Sequence, residues 1–176
     1  KFVLLQRRLE SAQWARAVKE VDTLVDGDFD SSPILLTTAG SIHLSAAIHD
    51  DLKPAGITHL PIDLRGFHLA TDAPSLSRRR KARELFERAA SVFNGLGADH
   101  VVAIAEDHAL WLGLRDSSTH DAALETLRAS MSESPRSLRR VPFAIQFGLN
   151  LELEEVEREI ERQMTLTGGM STEAAI

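Results

Sequence analysis

Cysteine is absent from this chain. That excludes disulfides, thiolate zinc sites and a cysteine nucleophile, and fits a reducing compartment. Tyrosine is absent as well and aromatic residues make up only 5%, so a core has to be assembled mainly from Leu, Ala, Val and Ile. Positive charge is in the minority: 20 Lys and Arg stand against 26 Asp and Glu, a formal net charge of −6. A surface of that balance disfavours direct nucleic-acid or anionic-membrane binding, which gains from a positive field. No apolar run approaches the roughly 20 residues that cross a bilayer, and Lys1-Phe2-Val3-Leu4-Leu5 meets Arg7 and Arg8 too soon for a signal-peptide core. No membrane partner is expected, and the cytoplasm is the expected location.

Motifs for bound groups are missing too. The chain has no Gly-x4-Gly-Lys-Ser/Thr and no Gly-x-Gly-x2-Gly loop, the arrangements that cradle phosphates with backbone N–H groups. Seven histidines are present, but no pair is spaced His-x3-His on one helical face as a metal would want. No cofactor and no metal are therefore expected.

What the chain does have is helical periodicity. Leu4, Leu5, Leu9, Trp14, Ala17, Val18, Val21 and Leu24 recur mostly at three- and four-residue steps, predicting one long helix or two short ones over 2–24. Ser32 followed by Pro33 is an N-cap and a first-turn proline, which predicts a helix from Pro33 to Leu52. Pro54, Gly56, Pro61, Gly66 and Pro74 interrupt the pattern, so an irregular insertion is expected at about 53–75. Helical signal returns at Ser77 and stops at Gly95-Leu96-Gly97, then resumes over Val101 to Leu114, after Ser117-Ser118-Thr119, over Leu138 to Leu149 and over Leu151 to Met164. The expected organisation is a single domain over 1–166 and a flexible tail over 167–176. Because the chain opens on Lys1 in a helical pattern, it is read as a piece of a longer polypeptide.

Small residues recur among the large ones. Leu36-x2-Ala39-Gly40-x2-His43 has the form of the first helix of a tetratricopeptide repeat, where Gly40 would let a neighbouring helix approach closely. Second helices are suggested by Ala17-x3-Val21-x2-Leu24, by Ala82-x3-Phe86-x2-Ala89 and by Ala123-x3-Leu127-x2-Ser130 with Pro135 after it; Phe143-Ala144-x2-Phe147 supplies a further first helix. The chain thus resembles a tetratricopeptide-like helical repeat. The departures are that Ala82 to Ala123 spans 41 residues, against a family period of roughly 34, and that the insertion falls where a second helix should begin. Irregular repeats of this kind are similar to the sensor arms of bacterial signal-transduction ATPases and related transcription activators.

The resemblance implies an all-α fold of antiparallel helix hairpins stacked as a short solenoid. It also implies a non-catalytic recognition scaffold of a larger bacterial regulatory protein, with a protein or peptide partner or a small ligand. Its register makes Thr37, Ser41, Leu44 and Ser45 groove residues in one unit, and His108, Leu112 and Arg115 in a later one. The rival is a doubly wound α/β fold with Ile34 to Thr38, Ile57 to Ile62 and Val101 to Ala105 as strands, serving a small nucleotide-binding or enzyme domain. An adaptor that only joins subunits is a third reading. The stripe Leu153, Val156, Ile160 and Met164, or the Leu4, Leu5 edge, would be a cut interface and could make a homodimer.

The strongest local charge feature is the basic cluster Arg78, Arg79, Arg80, Lys81 and Arg83. Cations at a helix start oppose the macrodipole, so something should compensate them. One expectation is an ion-pair network with Asp72, Glu84, Glu87 or a neighbouring helix; the other is a patch for an anion or acidic partner.

Overall fold

Ser32-Pro33 and Gly95-Leu96-Gly97 mark a helix start and a helix end where the pattern puts them. The computed structural model describes residues 13–27, 32–52, 75–131 and 140–149 together with Glu157 and Glu161. Among these residues every regular element is a helix and none is a strand. The helices are α1 (Trp14–Val25), α2 (Pro33–Leu52), α3 (Leu76–Gly95), α4 (Asp99–Leu114), α5 (His120–Met131) and α6 (Val141–Gln146). They fall into two compact units, Lys1–Ser118 and Thr119–Ile176.

In the first unit the start of α2 follows from Ser32-Pro33. The Ser32 hydroxyl accepts a hydrogen bond from the Leu35 N–H at 3.4 Å, and the Ser32 carbonyl accepts from Leu36 at 2.9 Å. α3 ends in a Schellman turn: Gly97 takes φ 68°, its N–H bonds to the Asn94 carbonyl at 3.1 Å, and the Ala98 N–H reaches the Phe93 carbonyl at 3.1 Å. Three residues, 96–98, thereby reverse the chain, and α3 and α4 form an antiparallel hairpin.

Each helix of this unit packs on its neighbour in sequence: α1 on α2, α2 on α3, and α3 on α4. The amphipathic α1 buries Ala17, Val21, Leu24 and Val25. The central α2 is buried around most of its circumference, from Leu35 and Leu36 through Ala39 and Ile42 to Ala46, Ala47 and Ile48, as a helix covered on more than one side must be. One apolar cluster joins residues of all four helices, among them Val21, Leu36, Leu85, Ala89 and Val102. Full burial of each large aliphatic side chain contributes about 1.5–3 kcal/mol.

The close approach expected at Gly40 is present. A Cβ placed there would lie 3.0–3.1 Å from three ring carbons of Phe86 on α3. Phe86 is itself fully buried, and its ring lies 4.8 Å from that of His108 on α4. The α1–α2 contact carries a polar tie as well, with His43 Nε2 and Asp22 Oδ1 2.8 Å apart and the histidine buried.

In the second unit α5 buries Ala123, Leu127 and Ser130. α6 buries Ala144 and ends in a second Schellman turn at Gly148, with φ 69° and the Leu149 N–H on the Ala144 carbonyl at 2.9 Å. Its last residue, Gln146, falls short of the expected Leu149 because Gly148 takes the left-handed conformation that stops the helix. The rings of His120 and Phe147 lie 5.8 Å apart.

The doubly wound alternative is set aside. Ile34 to Thr38 lies inside α2 and Val101 to Ala105 inside α4, so neither is a sheet member. The Ser-Pro start and the apolar pattern that runs unbroken to Ile48 make the first segment the opening of a long helix. The remaining strand of that alternative, Ile57 to Ile62, lies outside the described residues, as do the 53–74 part of the insertion, the Leu4, Leu5 edge, the Leu153 to Met164 stripe and the 167–176 tail.

Candidate functional site

The basic cluster occupies the first two turns of α3, where its own helix dipole opposes it. The antiparallel hairpin supplies the compensation, because it lays the start of α3 beside the end of α4, whose carbonyls and negative dipole favour cations. Arg79 is buried, and its Nη1 donates to the Arg115 carbonyl at 3.4 Å. Arg80 forms a two-pronged pair with Asp116, Nε to Oδ2 at 2.6 Å and Nη2 to Oδ1 at 2.9 Å. Its Nη2 also donates to the Ser118 hydroxyl at 3.0 Å.

Asp116 is the hub of this corner. It is buried, and besides Arg80 it accepts the Ser118 N–H at 3.0 Å and the Ser118 hydroxyl at 2.7 Å. The Arg80 hydrogen bonds, followed by those of Ser118, hold its carboxyl well below the usual carboxylate range, against the opposing effect of burial. Arg80 is pushed up by the same contact.

The other basic residues have partners of ordinary surface kind. Arg78 Nε lies 3.0 Å from Asp50 on α2, Lys81 lies 3.2 Å from Glu84, and Arg83 Nε lies 3.4 Å from Glu87. Glu84 and Glu87 were expected partners; Asp72 lies outside the described residues. At the adjoining α2 end, Asp51 accepts from the Ser75 hydroxyl at 2.6 Å.

Between α3 and α4 the side chains of Arg79, Arg80, Arg83, Leu112, Arg115 and Asp116, with Leu76 at the edge, line a shallow depression that they themselves nearly fill. Four arginines and one aspartate thus border the same depression. Burial, and then the charge of Arg79, lowers the Arg115 guanidinium from its ordinary value. The Arg115 guanidinium also sits 5.1 Å from the centroid of the Trp111 ring, a cation–π contact that fixes one of its faces.

Two sets of sequence candidates therefore meet. Leu112 and Arg115, drawn from the repeat register of α4, share the depression with Arg79, Arg80 and Arg83 of the basic cluster. His108, one turn before Leu112, is exposed; its Nδ1 lies 2.8 Å from the Ile104 carbonyl and its ring packs on Phe86. Thr37, Ser41, Leu44 and Ser45 of α2 do not line this depression. Of these, Leu44 is buried, Ser41 and Ser45 are half-buried, and the Thr37 hydroxyl donates to the Pro33 carbonyl at 2.8 Å. Leu112 is buried too, as a floor residue rather than an open contact.

Asp116 is the residue that sequence reasoning passed over. Its guanidinium partner is 36 positions away, and only the local run Asp116-Ser117-Ser118, a side-chain-to-backbone turn, marks it in the sequence.

Among the described residues no group of three or more His, Asp or Glu side chains is placed to hold a metal ion, and no helix is long and apolar enough to cross a membrane. No family model, curated protein or solved structure matches the chain.

Proposed function

We propose that this chain is a non-catalytic recognition module of the tetratricopeptide-like kind, a cytoplasmic part of a larger bacterial regulatory protein, and that the depression between α3 and α4 receives an acidic group of a protein or peptide partner. The observation that carries the site is four arginines around one small depression with a single carboxylate among its lining. Guanidinium forks match carboxylate and phosphate oxygens geometrically, and part burial strengthens each such contact relative to open water.

The repeat resemblance is supported by burial. The residues picked out by the small-residue pattern are the ones turned inward: Ala17, Val21 and Leu24 on α1, Ala82, Phe86 and Ala89 on α3, and Ala123, Leu127 and Ser130 on α5. Gly40 against Phe86 is the close helix contact that the pattern requires, and within the first unit the packing of each helix on its sequence neighbour is the contact order of a stacked array.

Selection of peptides from a random library on the purified chain tests this reading. Acidic peptides should be enriched, their affinity should fall as salt is raised, and hydrogen-exchange protection should appear at the start of α3 and the end of α4. Enrichment without acidic bias, or protection confined to other helices, would refute the assignment.

A further inference from the structure

We propose that His43 and Asp22 form a register lock: the pair adds little net stability and fixes where α1 sits along α2.

The His43 ring is buried, with its Nε2 2.8 Å from Asp22 Oδ1. A carboxylate only accepts, so Nε2 carries a proton and donates it. Nδ1, across the ring, is buried and has no hydrogen-bond partner among the described residues. It lacks a donor when the ring is neutral and an acceptor when the ring is charged, so part of the desolvation cost stays uncompensated in either state. A buried polar contact of that balance adds little relative to an apolar side chain of similar volume. The best-attested use of such contacts is to select one register among several.

The apolar face of α1 leaves the register open. Ala17, Val21, Leu24 and Val25 are buried, and Val18 packs against the same cluster. Sliding α1 by one helical turn, three or four residues, keeps an apolar residue at the central Val21 site: Val18 or Ala17 in one direction, Leu24 or Val25 in the other. What changes is the residue that meets His43. Three of the four slips bring Lys19, Val18 or Val25 there in place of Asp22. None has a side-chain acceptor, so the ring N–H would be buried without one. The fourth slip brings Asp26 to His43 but puts Asp28 into the site of the buried Leu24, where a carboxylate would lose its water. The observed register alone satisfies the ring N–H and keeps the apolar sites apolar. It also decides where Arg16, Lys19 and Thr23, exposed on α1, lie along the first unit.

Spin labels measure the register directly. The chain has no cysteine, so Ala15→Cys at the start of α1 and Ser91→Cys on α3, both exposed positions, carry a label pair on the whole chain. Pulsed electron spin resonance should give one narrow distance. His43→Leu should leave the urea midpoint unchanged or raised, and should add a second distance about 5 Å away, the length of one turn. Asp22→Ala should lower the midpoint by about 1 M, since it strands the ring N–H, and adding His43→Leu to it should restore the midpoint. Asp22→Asn still offers an oxygen to the Nε2–H and should keep the single distance.

A single, unshifted distance in His43→Leu would mean that apolar packing sets the register, and would overturn the proposal. A lowered midpoint or loss of helical circular dichroism in His43→Leu would overturn it too, because the pair would then be a stabilising contact. So would a second distance in Asp22→Asn, where the acceptor is retained.

Discussion

Gly40→Ala pits two effects of known size against each other at the α2–α3 contact. At an open helical position the change stabilises by about 1 kcal/mol, because alanine loses less backbone freedom on folding. At Gly40 the new methyl would stand 3.0–3.1 Å from three carbons of the Phe86 ring. That ring is fully buried and backed by His108 at 4.8 Å, so it has little room to withdraw. Overpacking of this sort costs about 1–3 kcal/mol, and the net expectation is a destabilisation between zero and about 2 kcal/mol.

Urea unfolding followed by tryptophan fluorescence reads the right part of the molecule. The two tryptophans, Trp14 and Trp111, both lie in the Lys1–Ser118 unit. With a denaturant slope of about 1–3 kcal/mol per M, a 1 kcal/mol loss moves the midpoint down by about 0.3–1 M. Gly95→Ala is the control, since nothing lies within 4 Å of a Cβ there; it should be neutral or mildly stabilising. Gly40→Ala should also become stabilising when combined with Phe86→Leu, a coupling of about 1–3 kcal/mol. The close-approach argument fails if Gly40→Ala alone stabilises by about 1 kcal/mol, or if the two changes are additive.

Leu85, fully buried in the four-helix cluster, should lose about 2–5 kcal/mol on change to Ala; a loss below 1 kcal/mol would place it outside the core. Gly97→Ala should cost about 1 kcal/mol although no atom lies within 4 Å of the added carbon, because the cost arises only from φ 68°. Asp116 has its folded-state carboxyl below the usual value, so its stabilisation is complete above the unfolded value of about 4 and is lost as pH falls toward the folded one. Asp116→Asn should flatten the stability profile below about pH 4, and an unchanged acid slope would remove Asp116 as a contributor. Ser32→Ala should cost about 0.5–1 kcal/mol by uncapping α2, visible as faster hydrogen exchange at Leu35.

Much of the helix plan was legible because its signals are local. Ser32-Pro33 opens α2, Gly97 closes α3, and the three- and four-residue spacing of small and large residues marks the buried faces of α1, α3 and α5. The run Ile34 to Thr38 read equally well as a strand, since a short apolar segment does not fix its own period; its capped start and its continuation to Ile48 decide for helix. The α2 groove residues were less legible. A register taken from the resemblance put Leu44 on an open face, whereas cover around most of α2 buries it.

The sequence by itself determined where most of the described helices begin and end, which residues are small enough for close packing, and that a dense basic run occupies the start of α3, because caps, periodicity and charge are properties of neighbouring positions. Only the tertiary structure decided what those arginines do. The reversal at residues 96–98 brings Arg79 and Arg80 beside Arg115 and Asp116. Contacts across 36 positions depend on how two helices fold back on one another, which no local pattern encodes.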